Sequence, residues 1–345
     1  MESQRLDGII VSRRDNFAWL TCGGDNHVLK HTEYGFGHLL ITPERQYLLA
    51  FTMDVARILE EQIPGQGYEP IASKWHQGDP RTGAFGLAGK NIASDAGFPG
   101  TKAVDIQRVH GPLSELELDR SRWLGHQTAL ILEEIARWVR PGMSESEIGR
   151  QLHSCLVLDG IEPEVIIVGS DDRLERYWHA LPSPKRLEKY ALIHSASSRW
   201  GLHANVNRLV SLGEPPRRIR DAHRAAVTIE GQVLGMLENG VAYSSILQHQ
   251  KNWYSEMGYP DEWELHFQGG PTGYFVGDPT RCWTDMLVES NQAFDWFITV
   301  GGVQVEELVL LTEYGLEVAS MGSTWPRTSV STEKGKIVIP DIYIL

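Results

Sequence analysis

Trp138-Val139-Arg140-Pro141-Gly142-Met143-Ser144-Glu145-Ser146-Glu147 ends one helix and starts another. Before it, Leu124, Ile131, Ile135, Trp138 and Val139 recur at helical spacing and share one face of a long helix that opens near Glu115. Pro141 and Gly142 stop that helix, because proline clashes with the preceding turn and glycine accepts the backbone reversal. Ser144 then caps the next helix, and Glu147 three positions later reaches back in a capping box. The helix so predicted runs toward Gly160 with Ile148, Leu152, Cys155 and Leu156 turned inward.

Working outward, strands are predicted at 165–168 and 190–193, helices over about 217–238 and 245–257, and mostly strand from Trp263 onward. Upstream of the long helix the pattern is different. Short β-type runs at 8–11, 17–21, 38–42 and 46–51 are separated by turns and interrupted by one helical stretch at 54–62. Residues 75–100 are dense in Gly, Pro and Asp and read as loop with a short strand at best. The expectation is an α+β chain of two domains: a small α/β domain over 1–115, and a domain over 116–345 that alternates helix pairs with strand groups.

A chain of 345 residues suits two domains. Its net charge of −13 repels polyanions and argues against non-specific nucleic-acid binding, and 41% hydrophobic with 22% charged residues excludes wholesale disorder. Cys22, Cys155 and Cys282 are odd in number and widely spaced, so neither a disulfide framework nor a Cys-x-x-Cys metal site is at hand. The start Met-Glu-Ser-Gln-Arg-Leu-Asp lacks the basic and apolar regions of a signal peptide, and no apolar stretch nears the ~20 residues of a membrane span. A cytoplasmic protein with no membrane partner is expected.

Several residues are candidates for chemistry. His179 lies in Trp-His-Ala-Leu-Pro-Ser-Pro, too broken by proline for a helix, so a loop presents its imidazole; a surface or hydrogen-bonded histidine is the other reading. His194 and Asn205 fall on two strands joined by a turn, and paired strand positions can face one cavity or simply end strands. Leu265 to Tyr274 carries three glycines that permit close backbone approach, yet it matches neither a phosphate loop nor a dinucleotide fingerprint. Glu306 and Glu307 precede an apolar run, so one of them points inward and needs a partner or a proton.

Together these pieces resemble the pita-bread superfamily of methionine aminopeptidases, Xaa-Pro aminopeptidases, prolidases and creatinases. Leu6-Asp7-Gly8-Ile9-Ile10-Val11 through Asn16-Phe17-Ala18-Trp19-Leu20-Thr21 looks like the start of a creatinase-type N-terminal domain, and Arg140-Pro141-Gly142-Met143-Ser144-Glu145 resembles the helix-to-helix element of the catalytic domain. Members of that superfamily bind a divalent metal pair through two Asp, one His and two Glu. The resemblance places His194 and Asn205 at the Asp positions, Gly270 at the His, Phe297 at the first Glu and Glu306 at the second. One ligand of five survives, and no dinuclear metal site and no cofactor are expected.

His179 matches a family histidine outside the metal shell, and His266 the one preceding the lost ligand. Creatinase works on this scaffold without metal, using a histidine as general base and acid. The resemblance therefore implies a metal-independent enzyme acting on a C–N bond of a small amino-acid-derived substrate, a hydrolase or a related cyclase. His179, Glu306 and His266 are its candidate catalytic residues, and His194, Asn205, Tyr274 and Phe297 its candidate substrate-binding residues. Trp296 is expected to make the old metal pocket more apolar, and Arg14, Asp25, Asn26 and His27 are looser candidates, since creatinase-like N-terminal domains can reach the partner's site. The resemblance also implies a homodimer. A pseudopeptidase that binds a peptide or protein without chemistry is the alternative.

Overall fold

The structure, a computed structural model, describes residues 1, 4–276 and 285–345, so Cys282 lies outside the described residues. The chain divides into two compact units, Met1–Gly111 and Pro112–Leu345.

The first unit runs β1 (Gly8–Arg13), α1 (Arg14–Leu20), β2 (Tyr34–Ile41), β3 (Gln46–Phe51), α2 (Thr52–Arg57), β4 (Glu69–Ser73), α3 (Ala84–Ala88), β5 (Ile92–Ser94) and β6 (Lys102–Ala103). Its strands form a six-stranded sheet in the order β4-β3-β2-β1-β5-β6, antiparallel at the centre and parallel at both edges. Adjacent residues bury on opposite faces. Val11, Leu39 and Leu48 pack with Phe17 and Ile58 on one side, while Ile10, Leu40 and Leu49 pack with Ala84 and Ile92 on the other. Burial on both faces accounts for the nearly unbroken apolar runs of these strands. The stretch 17–21, expected as a strand, belongs instead to α1, whose end is fixed by the Thr21 hydroxyl donating to the Phe17 carbonyl at 2.7 Å. A short apolar run fits either period, and here helical packing of Phe17 against the sheet decides.

The second unit opens with α4 (Glu115–Trp138), followed by α5 (Glu145–Leu158), β7 (Glu162–Ser170), α6 (Asp172–Arg176), β8 (Tyr190–Arg199), β9 (Leu202–Ser211), α7 (Arg217–Met236) and α8 (Tyr243–Glu256). It continues through β10 (Gly269–Thr272), β11 (Gln292–Val300), β12 (Val303–Thr312), β13 (Gly315–Val318), β14 (Arg327–Thr332), β15 (Gly335–Pro340) and β16 (Tyr343–Ile344). Capping boxes start both α4 and α5: Ser114 with Glu117, and the predicted Ser144 with Glu147. Two four-stranded sheets result, ordered β16-β9-β8-β7 and β10-β11-β12-β13, beside a β14-β15 hairpin. Strand β9 lies along β12, α4 packs on β8 and β9, and α7 packs on β11, β12 and the hairpin.

The largest core lies between α7, α8 and one face of β11 and β12. Phe294, Trp296, Ile298 and Val300 alternate into it with Val303, Val305, Val309 and Leu311. Trp296 therefore does not line the pocket with Phe297. Adjacent strand residues face opposite ways, and its side packs against helices. No helix is long and apolar enough to cross a membrane among the described residues.

Candidate active site

Strand register decides which side chains meet. In β11 and β12, Phe297 stands opposite Glu306 and Asp295 lies two residues before Phe297, so all three project from the face turned away from α7. In β8 and β9, His194 stands opposite Asn207 and Ala196 opposite Asn205, which puts His194, Asn205 and Asn207 on one face. The lateral contact of β9 with β12 joins these faces, and His194 Nδ1 approaches Glu306 Oε2 to 3.0 Å without alignment through its ring N–H. Gln304 Nε2 donates to the same Glu306 oxygen at 2.7 Å.

A second pair closes the site from the loops. His179, exposed in the loop after α6, and His266, half-buried ahead of β10, meet with Nε2 atoms 3.2 Å apart. His266 Nδ1 lies 2.5 Å from the Phe267 carbonyl. A carbonyl only accepts, so Nδ1 carries the hydrogen. Neutral His266 then offers its Nε2 lone pair, and His179 Nε2–H is the donor. Burial holds the His266 imidazole below its ordinary range, with the neighbouring His179 and His194 acting the same way against the Phe267 carbonyl and Glu306. The ring of Phe297 meets His266 and Phe267 edge-on at 5.0 and 5.2 Å between centroids.

The structure thus brings His179, His266, His194, Phe297 and Glu306 together, and sets Asn205 on the same face. Asn205 Nδ2 donates to the Val276 carbonyl at 3.3 Å. Tyr274 is engaged elsewhere, its hydroxyl donating to Glu117 Oε1 at 2.6 Å in the first turn of α4. Glu307 is as buried as Glu306 but faces the other way, where Arg208 Nη1 donates to it at 2.7 Å. Its carboxyl is pushed up to about 7 by burial, against the pull of Arg208 and Ser320. In the first unit, Asn26 is held by the Ser12 and Gly37 carbonyls, Asp25 pairs with His27, and Arg14 donates to the Lys30 carbonyl, so local structure occupies all four of those candidates.

One residue of the site has no counterpart in the sequence reading. Asp295 is fully buried, stands opposite Gly270 of β10, and neither of its oxygens has a hydrogen-bond partner among the described residues. Burial drives its carboxyl well above the usual carboxylate range, and Glu306, Glu230 and Glu307 push the same way. The available signal was an acid inside the apolar run Ala293-Phe294-Asp295-Trp296-Phe297.

These donors do not fit a metal pair. Gly270 has no side chain and Phe297 no donor atom, while His194 and Asn205 bring no carboxylate, so Glu306 is the one acid at the five positions that the resemblance assigns. Among the described residues, no three His, Cys, Asp or Glu side chains converge at metal-binding spacing.

No curated protein matches the chain by sequence. Solved structures share its fold throughout. The Xaa-Pro dipeptidase of Bacillus anthracis superposes with a TM-score of 0.80 at 16% identity, covering 100% of this chain and 96% of that one. The X-Pro aminopeptidase of Thermotoga maritima MSB8 gives 0.76 at 18% identity over 100% and 99%, and the prolidase of Pyrococcus horikoshii OT3 gives 0.78 at 16% over 94% and 96%. These likenesses establish the pita-bread fold and its two-domain layout. Residues 122–313 match the model of metallopeptidase family M24, more than half of the chain, and the protein belongs to that family.

Proposed function

We propose that the protein is a metal-independent enzyme that cleaves a C–N bond of a small amino-acid-derived substrate by histidine acid–base chemistry. The observation that carries this reading is the His179–His266 pair at 3.2 Å beside the buried His194–Glu306 pair. His266 fixes the tautomer of His179, so that His179 Nδ1 is left as the basic nitrogen. That nitrogen takes a proton from water as the water attacks carbon, and returns it to the departing nitrogen. Glu306 lies against His194 rather than His179, and His194 holds the substrate's carboxylate or developing oxyanion. The apolar ring of Phe297 suits a small organic substrate more than a peptide. A homodimer and a cytoplasmic setting belong to the same reading.

The test is turnover of candidate C–N substrates by chelator-treated protein, with Mn, Co and Zn added back. Activity that survives chelation and is lost in a folded His179→Ala variant supports the reading; activity that requires one metal, or is unchanged in His179→Ala, overturns it. Product mass separates hydrolysis, which adds water, from cyclisation. Peptide binding with no turnover would establish the pseudopeptidase instead.

A further inference from the structure

We infer that Asp295 is the anchor for a positively charged, N–H-bearing nitrogen group of the substrate, with the Asn205 carbonyl accepting a further N–H. The inference deepens the reading of a small amino-acid-derived substrate and rests on it.

Four observations carry it. Neither Asp295 oxygen has a partner among the described residues, on a residue 1% exposed, and a cation that displaces the carboxyl proton to solvent would meet two acceptors there. Asn205, 4% exposed, spends its amide nitrogen on the Val276 carbonyl, which fixes the amide's orientation and leaves its Oδ1 as a third unpartnered acceptor. Asn207, on the same face of β9, has an unpartnered Nδ2, a donor that asks for an acceptor on the same ligand. Opposite Asp295, Gly270 has no side chain and a φ of 150°, so no protein group from β10 answers the carboxyl.

Buried polar groups are satisfied in the working state of a protein, because each orphan keeps its desolvation cost with no hydrogen bond to offset it. Three acceptors and one donor define the complement: a small cation with at least two N–H groups and a nearby carbonyl or carboxylate oxygen. Glu306 already accepts from Gln304 and lies against His194. Asp295 also lies among acids, so a cation that takes the place of its proton relieves a repulsion that no described residue offsets. A divalent metal is the poorer complement, since no three anionic or imidazole side chains converge in the described residues.

The experiment titrates glycinamide, which carries an ammonium and an amide oxygen, and glycolamide, its neutral hydroxyl counterpart, into the full chain and into Asp295→Asn. Binding is followed by ligand-observed NMR in the presence of chelator. Asparagine matches the shape of the acid, so the variant keeps the packing. Glycinamide binding weakened tenfold or more in Asp295→Asn, with glycolamide at least tenfold weaker than glycinamide on the natural chain, supports the inference. Equal glycinamide binding by the two proteins, equal binding of the two probes, no glycinamide binding at all, or, in a chelator-free repeat, displacement of glycinamide by zinc that Asp295→Asn abolishes would each overturn it. The two readings fail separately. Turnover with probe binding indifferent to Asp295 removes the anchor and leaves the enzyme, whereas Asp295-dependent binding without any C–N turnover leaves the anchor and removes the enzyme.

Discussion

His266 links burial to chemistry through a single nitrogen. Held neutral by burial and neighbouring imidazoles, it accepts from His179, and protonation would end that role. The lowered value means the neutral form persists below the ordinary imidazole pKa of ~6.5. The His266 ring is therefore expected to gain its proton only below that value, and a His266 titration at 7 or above, read from its imidazole NMR signals, would refute the assignment. His266→Ala should cost about a hundredfold in kcat/KM, the lower end of acid–base effects. On the opposite face of the sheet, Arg208 pairs with Glu307 in full burial and donates to the Ser320 carbonyl at 2.6 Å. Arg208→Leu strands that carboxylate and should lower stability by about 3–5 kcal/mol, with partial recovery in Arg208→Leu/Glu307→Leu, read by chemical denaturation. The sequence singled out His179, His194, His266 and Glu306, which the fold brings together, because motif order carries them. Asp295 escaped notice because its importance lies in facing Gly270, a long-range strand pairing that no local pattern encodes.

Helix boundaries were the most legible elements, since caps are local chemistry. The Ser144–Glu147 box starts α5 where the sequence put it, and the equivalent Ser114–Glu117 box explains the start of α4 near Glu115. The strand expected at 17–21 failed for want of local information, and the face occupied by Trp296 became clear only once β11 lay on α7. Tertiary packing also reverses a propensity rule on α7. A Cβ at Gly231 would sit 2.5 Å from Val330 Cβ, and one at Gly235 2.9 Å from Thr332 Cβ, both in the hairpin strand β14. Alanine ordinarily favours a helix interior over glycine by about 1 kcal/mol. Here Gly231→Ala should instead destabilise by about 1–3 kcal/mol, the usual cost of overpacking, and raise hydrogen exchange in β14. A stabilised variant would show that the hairpin yields without cost.

For the molecule as a whole, two sets of buried groups set opposing pH dependences. His38 and His223 are each lowered to about 4 by burial, so the unfolded chain binds their protons first and stability falls as pH drops from about 6.5 toward 4. Glu307 near 7, with Glu230 and Asp295 raised well above the carboxylate range, binds protons more tightly when folded, so stability falls as pH rises through those values. Above pH 6.5 the histidines are neutral in both states and the acids act alone. Amide exchange in β11 and β12 should accelerate from pH 6.5 to 8 beyond its intrinsic increase, and Glu230→Gln should reduce that excess; an exchange rate following the intrinsic trend would contradict it. The site itself is assembled from remote parts of the chain. His179 and His266 are 87 residues apart, and behind the site the buried Arg208–Glu307 pair is separated by 99. Such contacts close large loops, which is slow compared with helix formation. On dilution from denaturant, helical signal should return before exchange protection in β11 and β12, so the residues of the site meet late in the life of the folding chain.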